Sequence, residues 1–147
     1  MLILQPILVT GVIVGFLDLV AASALARSRG VTFQRTFQGV ASGALGPSSF
    51  EGGNKTAALG VLIHFFIATT VTAVYFLASR AIPALLAHPA IFGVLFGAGL
   101  HLFMTFVTIP LSRVPKRSFS ATFFLAQLFI HMFIIGMPVA LLLKRFS

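Results

Sequence analysis

The chain has 147 residues, 59% of them hydrophobic and 8% charged, with ten Lys or Arg against two Asp or Glu and no cysteine. A soluble globule of this size needs more charged surface than that, so the composition places the chain in lipid. The formal charge of +8 would suggest nucleic acid in a soluble protein, but here Arg and Lys fall almost entirely between or beyond the apolar runs, where they set topology and meet phospholipid. The missing cysteines exclude disulfides, iron–sulfur ligation and thiol chemistry.

The first apolar run, Ile7 to Ala26, is interrupted only by Asp18. Ala24-Leu25-Ala26 before Arg27 resembles a signal-peptide cleavage site, but the amino terminus lacks a basic region and Asp18 breaks the apolar core, so an uncleaved span is expected. The following loop, residues 27–56, is long for a helical hairpin. Within it Phe33, Phe37, Val40 and Ala44 repeat at helical spacing with Gln34, Arg35, Gln38 and Ser42 on other faces, which predicts a short helix lying in the membrane interface. Gly43 to Ser49 should end it, and Gly52-Gly53-Asn54 should turn the chain into the next span, capped by Asn54 or Thr56. Residues 49–56 have some of the spacing of a phosphate-binding loop. However, Ser49 stands where its first glycine belongs, Asn54 where the glycine before lysine belongs, and no strand precedes them. Asn54-Lys55-Thr56 is formally a glycosylation sequon, on the side of the membrane where modification is not expected.

Three further spans follow: Ala57 to Ser79 with His64, Pro89 to Pro110 with His101, and Ala121 to Leu143 with His131. His88 falls in the connection before the third, and the basic loop before the fourth has Pro115 as breaker and Ser118 or Ser120 as helix cap. At about 1.5 Å per residue each span reaches about 30 to 35 Å, enough for the hydrocarbon core. All four should be helices, since backbone groups in lipid must be satisfied within the segment and the alternating pattern of a barrel is missing. The expected fold is therefore all-α, a single transmembrane domain built as a four-helix bundle with a short interfacial helix in its first loop.

Orientation follows from the cations. Arg27, Arg29, Arg35, Lys55, Arg113, Lys116 and Arg117 lie on one side of the membrane, and Arg80, Lys144 and Arg145 on the other. The bias puts both basic loops in the cytoplasm and both termini outside. Two similarities suggest repeated helical hairpins: Gly11 to Gly15 matches Gly93 to Gly97, and Ile63-His64-Phe65-Phe66-Ile67 matches Ile130-His131-Met132-Phe133-Ile134. The two glycine pairs are more simply intramolecular packing sites than dimer seams.

Asp18, His64, His101 and His131 are the candidate site. Counted from the loop end of each span they lie seven to ten residues in, a single layer at a depth of about 10 to 15 Å. Each sits on its helix's small or polar stripe: Gly11, Gly15, Asp18 and Ala22; Gly60, His64, Ala68 and Thr72; Gly93, Gly97, His101, Thr105 and Thr108; Gln127, His131 and Pro138. Small residues mark where transmembrane helices approach, so the four should converge. The plainest interpretation is a satisfied polar core that holds the bundle together. A proton or solute site is the first alternative, with Gln127 and Thr69, Thr70, Thr72, Thr105 and Thr108 able to hold water. Haem or a divalent metal at His64, His101 and His131 is the second, with suitable ligand types but no sequence-local metal spacing. The only intramembrane carboxylate has no identifiable serine partner and Glu51 stands alone in a loop, so no hydrolytic chemistry, and no enzyme, is expected.

Gly15-Phe16-Leu17-Asp18, Ala41 to Pro47 with Phe50 to Gly53, and Leu59 to Phe65 together resemble small bacterial inner-membrane proteins of the YagU-like kind, with Pro110-Leu111-Ser112 as a weaker echo. The similarity covers the first two spans and the loop between them. It implies a bacterial inner-membrane location and puts Asp18, the glycine-rich loop and His64 in one recurring unit, but carries no established activity. The expected role is structural or accessory, with the lipid bilayer as partner and a Phe-rich face open to another membrane protein or a second copy.

Overall fold

The structure, a computed structural model, describes residues 3–116 and 118–147; Arg117, counted above among the loop cations, lies outside the described residues. Four helices are long and apolar enough to cross a membrane: α1 (Leu4–Ser28), α3 (Gly53–Ala81), α5 (Pro89–Leu111) and α6 (Ala121–Lys144). Two shorter ones are α2 (Phe33–Leu45) in the first loop and α4 (Ala84–Ala87) in the second. The described residues contain no strand. The protein is an all-α integral membrane bundle, and its spans match the hydropathic expectation to within four residues at every end.

Two hairpins make the bundle. In the first, α1 packs on α3, and α2 folds back along the start of α3; in the second, α5 packs on α6. The seam between hairpins is formed by α1 against α6, while α3 meets α5 through the Tyr75 and Phe96 rings, 4.9 Å apart at 72°. Near the terminal end a dry core of Val14, Tyr75, Ile135, Val139, Ala140 and Leu143 gathers side chains from α1, α3 and α6. The Tyr75 hydroxyl donates to the Leu85 carbonyl at 3.0 Å, satisfying the one polar atom of that ring.

Both hairpins close on their glycine pairs. A Cβ at Gly11 would meet the Thr69 backbone and one at Gly15 the Phe65 ring, whereas Gly93 and Gly97 face the backbone of α6 at Gly136, His131 and Met132. The matching glycines thus serve the same packing task in each half, letting one helix seat against the next. Large side chains beside these stripes point outward, including Phe16, Leu62, Phe66, Leu95 and Phe129, as the partition between helix contact and lipid requires.

Two local features were not anticipated. Met104–Thr108 and His131–Gly136 are wide π-type turns, each ending two residues before a proline, Pro110 and Pro138. Proline lacks the N–H that would bond residue i−4, and its ring crowds that carbonyl, so the turn just upstream loosens.

The interfacial helix is present, but its buried face differs from the one expected. Phe37, Gln38, Ala41 and Ser42 are buried, whereas Phe33 and Ala44 are exposed. The reason is α3. Gly60 lets the Phe37 carbonyl approach the α3 backbone, and Gln38 turns inward to donate from Nε2 to the Gly53 carbonyl at 3.1 Å. The expected cap of α3 by Asn54 or Thr56 is not formed. The helix begins at Gly53 with no side-chain cap, Asn54 instead accepts from Gln34, and the Thr56 hydroxyl donates to the Ser49 carbonyl at 2.6 Å. Gly46 at φ 70° ends α2, and Ser120 caps α6 by accepting from the Phe123 N–H.

Candidate functional site

The layer forms at the loop end of the dry core. Each of the four spans contributes one ionisable side chain, and every small-stripe residue named above is at least partly buried. His64 on α3 reaches α1: its Nε2 lies 2.8 Å from the Gly15 carbonyl oxygen. A carbonyl only accepts, so Nε2 carries the hydrogen and the bond ties the two helices together. Glycine at position 15 allows this, since it brings Phe65 and Ala68 of α3 against α1 with no Cβ in the way.

The other ring nitrogen, Nδ1 of His64, faces Asp18 Oδ2 at 3.9 Å. The ring is held edge-on between Phe37 and Phe65, at centroid separations of 5.7 and 5.5 Å, both at 84°. Phe37 is itself only 1% exposed, so α2 forms a lid of one aromatic side chain over this half of the layer. Asp18 has two electrostatic neighbours, His64 and His131 of α6. His131 is packed in turn against His101 of α5, their ring centroids 4.9 Å apart at 53°. The order His64, Asp18, His131, His101 therefore follows the helix order α3, α1, α6, α5 across the bundle.

His131 occupies the first position of the wide turn in α6. Its Nδ1 lies 2.8 Å from the Gln127 carbonyl, so Nδ1 carries the hydrogen and Nε2 is left as a lone pair when the ring is neutral. Gln127 thus enters the site through its backbone oxygen. The Thr69, Thr70 and Thr72 hydroxyls donate to the carbonyls of Phe65, Phe66 and Ala68 one turn earlier, so they provide no free hydrogen to the layer. His101 is 4% exposed, packs against the Phe124 ring at 4.6 Å with the planes tilted by 57°, and its Nε2 has no hydrogen-bond partner among the described residues.

Of the four ionisable residues picked out by depth and stripe, the structure pairs Asp18 with His64 and His101 with His131. Hydropathy could not identify the Gly15 carbonyl, the Phe37 lid or the Phe124 platform; the glycine spacing that exposes the first is the only signal any of them left in the sequence. As to metals, no three His, Asp or Glu side chains among the described residues come together in a metal-holding group: His64 and the His101–His131 pair lie on either side of Asp18. No family model, curated protein or solved structure matches this chain.

Proposed function

We propose that the protein is a non-enzymatic, structural or accessory component of a bacterial inner membrane, in which the Asp–His layer clamps four helices at one level. The observation carrying this reading is the bond from His64 to the Gly15 carbonyl, 2.8 Å long between residues 49 apart in the chain. Lipid tails give helices no hydrophobic reason to associate, so close packing at small residues and polar contacts of this kind must hold them. The excess of cations in the two loops supports a cytoplasmic location for both, with both termini outside, and the YagU-like resemblance supports the bacterial inner membrane.

The partner is the bilayer itself. Leu62 and Phe66, 68% and 72% exposed, belong to an apolar face suited to lipid, to another membrane protein or to a second copy. This role requires neither haem nor metal, and the purified protein is expected to show no Soret band and no stoichiometric metal. The clamp is tested by His64→Phe, which keeps the ring volume and removes the bond. Helix content should persist while stability in detergent falls by about 1 kcal/mol. Unchanged stability would refute the clamp. Reporter fusions at Gly30 and Ser147 test the topology and should be active on opposite sides.

A further inference from the structure

Among its four ionisable side chains, the layer has fewer hydrogens than acceptors. A neutral imidazole has one N–H, and both His64 and His131 use theirs on backbone carbonyls, of Gly15 and Gln127 respectively. That leaves Nδ1 of His64 and Nε2 of His131 as bare lone pairs. An ionised Asp18 adds acceptor oxygens only, and His101 brings one N–H while its Nε2 is buried without a partner among the described residues. The neighbouring hydroxyls of Thr69 and Thr72 are already donating within α3.

The consequence is sharpest between His64 and Asp18. With Nε2–H committed to Gly15, a neutral His64 presents a lone pair to a carboxylate oxygen 3.9 Å away. Two acceptors facing each other between packed helices, both side chains mostly covered, repel. A hydrogen on either atom makes the contact attractive. At the other end, the packed His101 and His131 rings, with centroids 4.9 Å apart, leave the His101 Nε2 without a partner among the described residues, so an added hydrogen there has acceptors close by. The groups facing this layer are Asp18 from α1, His64 from α3, His101 from α5 and His131 from α6; α2 packs Phe37 over His64 and brings no charge.

We propose that the layer is a proton-binding site, holding one exchangeable proton beyond those of its neutral imidazoles and sharing it among Asp18, His64, His131 and His101. Uptake from hydronium breaks one O–H bond, leaves water, and forms one N–H or O–H bond in the layer; nothing else changes. The site follows from the hydrogen-bond directions alone and stands whether or not the layer also clamps the bundle.

The test is a nitrogen NMR titration of the complete, histidine-labelled protein in lipid nanodiscs between about pH 5 and 9, the range in which imidazoles change charge. His88, exposed in the connection before α5, is the internal reference. The expected result is that the ring nitrogens of His64, His131 and His101 respond together in one step, distinct from that of His88. Asp18→Asn keeps the shape and supplies two N–H donors, so it should abolish the joint step and leave His88 unchanged. The proposal is overturned if the three rings of the layer respond in separate steps, if they do not respond while His88 does, or if the joint step survives Asp18→Asn. A stability loss in His64→Phe bears only on the clamp and leaves this result untouched.

Discussion

Gly97 and Gly99 lie two residues apart on α5 and should respond in opposite ways to the same methyl group. A Cβ at Gly97 would collide with the His131 carbonyl and stand 2.7 Å from both the His131 carbonyl carbon and the Met132 Cα, all backbone atoms of α6. None can rotate away, so α5 and α6 must part by about 1 Å to regain van der Waals separation. Overpacking of this kind costs about 1 to 3 kcal/mol, only partly offset by the roughly 1 kcal/mol that alanine gains over glycine inside a helix. Gly99 is exposed and a Cβ there meets nothing within 4 Å, so Gly99→Ala collects the helix gain alone. Because the helix gain is common to both, the two variants should differ by the overpacking cost, about 1 to 3 kcal/mol, read as the midpoint of SDS-induced unfolding followed by circular dichroism in detergent. Gly97→Ala should also separate the His101 and His131 rings, visible as a change in their NMR signals. If Gly97→Ala proves as stable as Gly99→Ala, the backbone-to-backbone seam between α5 and α6 is wrong, and with it the placement of the histidine pair.

Gly60→Ala should detach α2, because the added methyl would occupy the space of the Phe37 carbonyl; limited proteolysis is expected to cut within residues 29–52 much faster than in the parent protein. Gln38→Ala removes the donor to the Gly53 carbonyl and should cost about 1 kcal/mol in the same SDS assay, with no loss if the side chain in fact faces lipid. Pro138→Ala restores the missing N–H in α6 and should tighten the wide turn beginning at His131, so the His131 ring signals should move while those of His88 stay put; an unaltered His131 would show that proline is not what opens the turn.

Much of this molecule is legible along the chain because lipid imposes a one-dimensional rule. A backbone that must satisfy itself forms a helix wherever some twenty apolar residues run together, so the four spans and their boundaries follow from hydropathy alone. The pairing of Asp18 with His64 and of His101 with His131 across helices was foreshadowed for a related reason: small residues mark the contact stripe, and each ionisable residue lies on one. What depended on the third dimension is anything decided by the direction of a single atom. Whether Gln38 faces α3 or the interface turns on a close approach at Gly60, some twenty residues away in the chain. Which nitrogen of His64 carries hydrogen turns on the Gly15 carbonyl, an acceptor that every residue possesses and that no composition or spacing singles out. Periodicity places a side chain on a face, but a hydrogen bond is fixed within tenths of an ångström by the neighbouring helix, and that neighbour exists only once the chain has folded.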